Sequence, residues 1–399
     1  MAEAWQNPYA PGTATAPPVL TGRDDWLGRF DDYFRGLVSG RPIQHVCFWG
    51  PRGMGKTVLL ERLGQMGRER GVAARRVEAT ADATFADALA RELGALGGDL
   101  ASRGPAWRRL RAAVDDVTLT LGGGPVKAEI RARPTPLDQV LAELLVRLGE
   151  LARDRKGGAL LLLDEIQAID PAHLRAVARG LQSCAAAALP VLMVAGGLPQ
   201  APEHIRRAVT YGERYRYAEL GPLNPVAVRV ALEEPAAALG VTFEPAALDG
   251  LVAASQGYPY LVQLLGHRCW EAARGGPVIT GTHARVAVPA ALSELAGSVF
   301  DGRFTRITPT ERAYVEALAA LGDGPVAGGD VAAALGRTPQ SLSRTRQSLI
   351  DKGLIAPVGS RQLVFTLPHF ASYVRSRSEP PPGLAEAFPV PPTPPRPRR

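Results

Sequence analysis

From His45 to Leu63 the chain passes from a short apolar run, through the octapeptide Gly50-Pro51-Arg52-Gly53-Met54-Gly55-Lys56-Thr57, into an amphipathic stretch bearing Val58, Leu59, Leu60 and Leu63. No other feature restricts the fold as much. A buried strand that turns through glycines straight into a helix belongs to a sheet whose faces are covered by helices. The octapeptide also fits G-x-x-x-x-G-K-[ST] in the context that motif requires. Its glycines let backbone N–H groups converge on phosphate oxygens, and the helix N-terminus adds partial positive charge. Lys56 is of a length to reach β and γ phosphates, and Thr57 supplies a hydroxyl ligand for Mg²⁺. Gly50 through Val58 are therefore the candidate nucleotide contacts.

A second signal lies a hundred residues on. Ala159 to Leu163 is apolar at every position, as in a strand buried on both faces in the middle of a parallel sheet, and it ends in Asp164-Glu165. The carboxyl edge of such a sheet is where its ligands bind. Asp164 is expected to hold the Mg²⁺ shell and Glu165 to orient or deprotonate an attacking water. The plainer alternative for the pair is helix capping.

At 399 residues with 46% hydrophobic content, the chain needs more than one core. We expect a tail over 1–20, an α/β domain over 21–220, a helical lid over 221–303, a C-terminal unit over 304–376 and a proline-rich tail over 377–399. Within the first domain, Trp26, Leu27, Phe30, Phe34 and Leu37 form a helical stripe, Gly71–Ala79 a strand and Phe85–Leu96 a helix. Val117–Ile130 has β-like runs around Gly122-Gly123-Gly124, which suggests a hairpin insertion. Leu137, Leu141, Leu144, Leu148 and Leu151 then make a long amphipathic helix, and Val191–Ala195 another buried strand. Asn224-Pro225 is a helix start. Cys47, Cys184 and Cys269 have no metal-type spacing and read as reduced thiols in a cytoplasmic protein. No export or membrane-spanning segment is evident, and no membrane partner is expected. The formal charge of +7 is a weak pointer to nucleic acid, since Arg396, Arg398 and Arg399 in the tail supply three of those charges.

With these residues in place, the chain from about Leu20 to Arg375 resembles the AAA+ and STAND-type ATPases, especially origin-recognition-like archaeal ATPases and their bacterial relatives with a C-terminal winged helix. Thr21-Gly22-Arg23-Asp24 is similar to the segment such proteins place beside the adenine, which implies a nucleotide contact for Arg23, and the resemblance also includes Asp164-Glu165-Ile166-Gln167. Val194 to Pro199 resembles their sensor 1 strand end, and Tyr211-Gly212-Glu213-Arg214 the segment ending in an arginine. The resemblance implies that Arg214 meets a γ-phosphate, in cis or across a subunit boundary in an ATP-dependent homo-oligomer; by residue type alone it is equally a surface arginine paired with Glu213 or Glu219. Gln256 to Tyr260 resembles the G-x-P segment of the helical domain, where Tyr258 and Tyr260 are expected to pack. Two departures stand out: Ala195 and Gly196 provide no polar side chain at sensor 1, and Gly257-Tyr258-Pro259 replaces the sensor 2 arginine of motor-type relatives. Slow turnover and a switch fit these departures better than a fast motor.

The C-terminal unit opens on the capping box Thr308-Pro309-Thr310-Glu311. Helices over Glu311–Leu321 and Asp330–Leu335, a third capped by Thr338-Pro339 and running to Asp351, and a β wing over Gly353–Leu367 together resemble a winged helix. Gln340, Arg344 and Gln347 share the outer face of the third helix, with Arg346, Lys352 and Arg361 placed for phosphates. Double-stranded DNA is one expected partner. The alternative is a protein-interaction switch or scaffold in which this unit and the proline-rich tail engage proteins and never DNA. The expected fold class is thus α/β: a P-loop parallel-sheet domain, a small helical lid and a winged helix, with ATP and Mg²⁺ as ligands.

Overall fold

In a computed structural model, residues 6–12, 15–80, 84–101, 104–121, 137–359 and 361–377 are described. The chain divides into two compact units, Met1–Val288 and Pro289–Arg399.

The first unit begins with helix α1 (Asp24–Val38), whose Phe30, Phe34 and Leu37 are buried as the stripe requires. Strand β1 (Val46–Trp49) leads through the glycine loop into α2 (Lys56–Glu69), and β2 (Val72–Glu78) follows. Helices α3 (Thr84–Leu100), α4 (Pro105–Leu121) and α5 (Leu137–Asp154) come next, then β3 (Gly158–Asp164). Helix α6 (Pro171–Ala186), β4 (Val191–Gly197), α7 (Ala201–Ala208) and β5 (Arg216–Glu219) complete the sheet layer.

The five strands are parallel and ordered β2-β3-β4-β1-β5. Every residue of β3 and β4 is buried, because both strands are interior and covered on both faces. Ala159, Leu161 and Leu163 join a core with Leu89 and Leu93 of α3, Leu144 and Leu148 of α5, and Leu174 and Leu181 of α6. Leu160 and Leu162 point the other way, toward Gly67 and Gly64 of α2. His45 enters this core just before β1. Burial pushes its imidazole down to about 4, so it is neutral near pH 7 and its Nδ1 accepts the Met193 N–H at 3.2 Å.

Helices α8 (Pro225–Ala237), α9 (Pro245–Ser255) and α10 (Pro259–Ala273) follow, with a two-residue pair, β6 (Thr242–Phe243) and β7 (Val278–Ile279). Asn224 caps α8 by accepting the Ala227 N–H. Helix α11 (Gly281–Leu295) contains Pro289, where the units divide. In the second unit, a π turn (Ala296–Phe300) and α12 (Asp301–Phe304) precede α13 (Pro309–Leu321). Strand β8 (Val326–Ala327), α14 (Gly328–Ala334), α15 (Ser343–Asp351), β9 (Ile355–Val358), β10 (Gln362–Phe365) and α16 (Phe370–Arg377) follow. Its strands form an antiparallel sheet ordered β8-β10-β9. The Thr308 capping box is complete, and Phe300, Phe365, Phe370 and Tyr373 pack ring against ring.

Four expectations need correction. Val117–Leu121 is helical, the end of α4, because Leu110 and Val114 carry a helical stripe into it; the rest of the anticipated hairpin lies outside the described residues. Residues 6–12 are not a free tail: Tyr9 is 3% exposed, for reasons given below. The second unit starts at Pro289 and not at 304, since Phe300 and Phe304 belong to its aromatic core. Helix α15 starts at Ser343, not after Thr338, because Thr338 closes a turn onto Ser341. Residues 378–399, with most of the anticipated proline-rich tail, lie outside the described residues.

The N-terminal segment is held on α8 and α10. Tyr9 donates its hydroxyl to the Leu232 carbonyl and sets its ring edge-on to Trp270 at 6.4 Å. Asn7 Nδ2 donates to the His267 carbonyl, and the Ala10 N–H to Gln263 Oε1. A Cβ on Gly266 would fall 2.5 Å from the Tyr9 ring, so the glycine is the slot that admits it. Among the described residues, no helix is long and apolar enough to cross a membrane.

Candidate functional site

Because β4 lies between β3 and β1, three strand ends converge at the carboxyl edge. The Gly50 N–H donates to the Gly197 carbonyl at 3.1 Å, tying the start of the glycine loop to the end of β4. The Leu220 carbonyl, just past β5, closes on Gly50 from the other side, where a Cβ would meet it at 2.3 Å. Lys56 is buried, and its ammonium donates to the carbonyls of Gly50 at 2.8 Å and Pro51 at 2.7 Å. Gly55, in the left-handed region at φ 82°, turns the loop into the first turn of α2. Thr57 and Val58 follow in that turn, half-buried, and Met54 is buried.

Asp164, 4% exposed, faces this loop from the end of β3. A Cβ on Gly196 would lie 3.1 Å from Asp164 Oδ1 and 3.7 Å from Lys56 Cβ. The nearest atom to that Cβ would be Leu60 Cδ1 at 3.0 Å, so Gly196 is packed against the start of α2 beside the carboxylate. A buried lysine ammonium on the loop and a buried carboxylate at the neighbouring strand end, with Thr57 at a helix start, fit a phosphate chain with a hard divalent cation. Oxygen donors from Thr57 and Asp164 suit Mg²⁺, and the exposed Arg52 leaves the loop's outer side open to solvent.

Glu165 takes a left-handed backbone, φ 52° and ψ 42°, at the start of the turn Ile166–Ala168. Its carboxylate accepts a hydrogen bond from Gln167 Nε2, while Gln167 Oε1 accepts the Leu198 N–H at 2.9 Å. Arg76 of β2 reaches across and donates to Asp164 Oδ2 at 3.2 Å and to Glu61 Oε1 at 2.5 Å. Arg76 is part of no recognised motif, whereas Gln167 closes the stretch Asp164-Glu165-Ile166-Gln167 that belongs to the resemblance. The one signal available for Arg76 was a charged residue inside an otherwise strand-like run; for Gln167 it was a polar residue two places after the acidic pair.

Arg23 meets the loop as backbone support. Its guanidinium donates to the carbonyls of Gly22, Met54 and Gly221, bracing the glycine loop against the segment leading to α8. Tyr258, at the start of α10, is 3% exposed and covers the loop: a Cβ on Gly53 would fall 2.2 Å from its hydroxyl oxygen. Packing is the role expected of Tyr258, but against the glycine loop itself.

Arg214 is not brought to this edge. It stands before β5, exposed, and Arg216 pairs with Val46, four residues before Gly50. At 3.3 Å per residue that is about 13 Å back along the sheet, further than its side chain spans. In cis, this register sets the Arg214 backbone well back from the loop.

In the second unit Gln340, Arg344, Arg346 and Gln347 are exposed, with Gln347 donating to Asp351 at 3.0 Å. Lys352 is not available for phosphates: its ammonium lies 2.8 and 2.6 Å from the two oxygens of Glu311, which also accepts from Ser348. Burial alone would raise the Glu311 pKa, but the hydrogen bonds from Lys352, Ser348 and Thr308 outweigh it and hold the carboxyl down at about 2. The three thiols are buried, and desolvation pushes each up to about 12, so they are inert.

Strand order, glycine loop and acidic strand end together give the first unit the layout of a P-loop nucleotide-binding domain. Residues 19–194 match the family model described as AAA ATPase domain, and residues 297–374 match one described as Domain of unknown function (DUF8462). No curated protein matches the sequence. Among solved structures, the chain is similar to the Orc1 protein of Aeropyrum pernix in complex with DNA, at 17% identity and a TM-score of 0.46, over 93% of this chain and 96% of that one. Cdc6p of Pyrobaculum aerophilum matches at 16% identity and 0.46, over 92% and 96%. The RuvB Holliday junction branch migration motor of Thermotoga maritima matches at 17% identity and 0.43, over 90% and 96%. Likeness at this level carries no statement about what this chain binds.

Proposed function

We propose that the chain is a nucleotide-dependent switch: it binds Mg²⁺-ATP at the glycine loop, hydrolyses it slowly, and sets α8–α10 against the sheet according to the nucleotide held. The observation that carries this reading is the meeting of the buried Lys56 and Asp164 at one sheet edge, with Glu165 beside them. Thr57 and Asp164 would hold Mg²⁺, which would neutralise charge on the phosphate oxygens. Lys56 exchanges the carbonyls of Gly50 and Pro51 for phosphate oxygens, and the N–H groups at the start of α2 take up others. Glu165 accepts the proton of the attacking water. Ala195 and Gly196 supply no polar group from β4, and Gly257-Tyr258-Pro259 supplies no arginine, which supports slow turnover. Tyr258 on Gly53 and Arg23 on Met54 couple the loop to α10 and to the segment before α8. Arg214 serves only a γ-phosphate bound by a second copy, as in an ATP-dependent oligomer.

We read the second unit as a winged helix that contacts duplex DNA, with Gln340 and Arg344 toward base edges and Arg346 and Arg361 toward phosphates. The exposure of these residues on and around α15 supports it. The engagement of Lys352 by Glu311 and of Gln347 by Asp351 reduces the available donors and favours the protein-binding alternative. Steady-state ATP hydrolysis with and without duplex DNA at one fixed salt concentration tests both. Lys56→Ala and Glu165→Gln are expected to be inactive, and activity unaffected by both would refute the ATPase reading. DNA stimulation lost on Arg344→Ala supports the DNA-linked switch; turnover indifferent to DNA moves the partner to protein.

A further inference from the structure

The acidic pair is followed by a residue whose geometry the motif does not explain. The left-handed turn at Glu165 continues with the Ala168 N–H donating to the Glu165 carbonyl at 2.8 Å, which folds Gln167 back beside the Glu165 side chain. A carboxamide has one accepting and one donating end. Leu198 presents a backbone N–H, so the Gln167 oxygen must face Leu198 and its NH₂ must face the carboxylate of Glu165. The amide orientation is fixed by a main-chain donor at the end of a fully buried strand.

The path of this side chain is cleared by Gly197. A Cβ there would lie 2.8 Å from Gln167 Oε1, 2.9 Å from Ile166 Cγ2 and 2.5 Å from Ala201 Cβ. The end of β4 thus offers no side chain of its own toward the site at 195–197, and the polar group standing there arrives from the β3 side. A non-glycine residue held in the left-handed region is disfavoured unless its surroundings fix it. Here the fixing contact runs from the strained residue's own carboxylate, through one amide, to the neighbouring strand.

We infer that Gln167 is a positioning residue for Glu165: it locks the carboxylate to the end of β4, at the height of the phosphate site, and thereby sets the direction from which a water is deprotonated. This rests on the reading of Glu165 as the base. Gln167 does not touch nucleotide. Its loss should spare binding and reduce the turnover of bound ATP, because misplacing a catalytic group by about 1 Å can cost on the order of a hundredfold.

The test uses the full-length protein with Gln167→Leu, which keeps volume and removes both hydrogen bonds, and Gln167→Asn, which keeps the amide but is too short to span Glu165 and Leu198. Three quantities are measured: affinity for a fluorescent ATP analogue, turnover at saturating Mg²⁺-ATP, and amide hydrogen exchange at Leu198 without nucleotide. The expected result is affinity within about twofold of the parent, turnover down by about tenfold or more in both variants, and faster exchange at Leu198. Glu165→Gln is measured alongside. If it turns over like the parent, the base assignment fails and the inference falls with it. If it is inactive while both Gln167 variants keep parental turnover, the inference alone is overturned, whatever Leu198 does. Affinity falling in step with turnover would also overturn it, since that is general damage to the site.

Discussion

Replacing Gly266 by alanine should have opposite effects on stability depending on whether residues 1–12 are present. In a helix interior, Gly→Ala is ordinarily stabilising by about 1 kcal/mol. Here the added methyl would land 2.5 Å from the Tyr9 ring and expel it. The ring is 3% exposed, and its burial is worth about 2–3 kcal/mol. The hydroxyl bond to Leu232 adds about 1 kcal/mol. Ordering the segment opposes this, so the net loss on expulsion is about 1–3 kcal/mol. Gly266→Ala should therefore destabilise the full chain by up to about 2 kcal/mol after its helix gain is subtracted. In a chain lacking residues 1–12 it should stabilise by about 1 kcal/mol. Tyr9→Phe should cost about 1 kcal/mol, because Leu232 sits in α8 and its carbonyl keeps a helical partner. Urea unfolding followed by fluorescence, with hydrogen exchange across α8 and α10 to locate the change, measures all of these. A stabilising Gly266→Ala in the full chain, or Tyr9→Ala within about 0.5 kcal/mol of the parent, would refute the docking.

Two further predictions follow from the charged groups. Arg76→Ala leaves the buried Asp164 without its counter-charge and should lower nucleotide-free stability by about 1–2 kcal/mol, a value reduced from the fully buried case because Arg76 is partly exposed. Thermal melting should then show a larger upward shift with Mg²⁺-ATP in the variant than in the parent, and equal shifts would argue against the pairing. Glu311, held at about 2 from an ordinary 4.5, contributes stability present above pH 4.5 and lost as pH falls through 2. The second unit's unfolding transition should weaken between pH 4.5 and 2, and Glu311→Gln should flatten that dependence while destabilising the unit at pH 7.

The parts legible in the sequence are those where one residue type serves one local purpose. Gly50 to Thr57 and Ala159 to Glu165 announced themselves because strand, loop and acid occur in uninterrupted order, and Thr308 to Glu311 because a capping box is closed within four residues. What escaped was long-range. Tyr9 reaches α10 across some 260 residues, and nothing near position 9 records the slot at Gly266. Arg76 was one charge in an alternating strand until β2 was seen to lie against β3, opposite the acidic end. Val117–Leu121 has β-branched residues that favour a strand locally, yet helix α4 carries through them, an instance of context overriding propensity. Lys352 looked like a surface cation because its partner, Glu311, precedes it by 41 residues.

Helix α10 begins on Tyr258, which rests on the glycine loop, and halfway along presents Gly266 to Tyr9. Those two points are eight residues apart, about 12 Å of stiff rod. A rod held at both places ties the packing of its first turn to that of the slot. The segment around Tyr9 thus sits on the same helix as the glycine loop's cover, and a probe attached near residue 9 should register a displacement at Gly53.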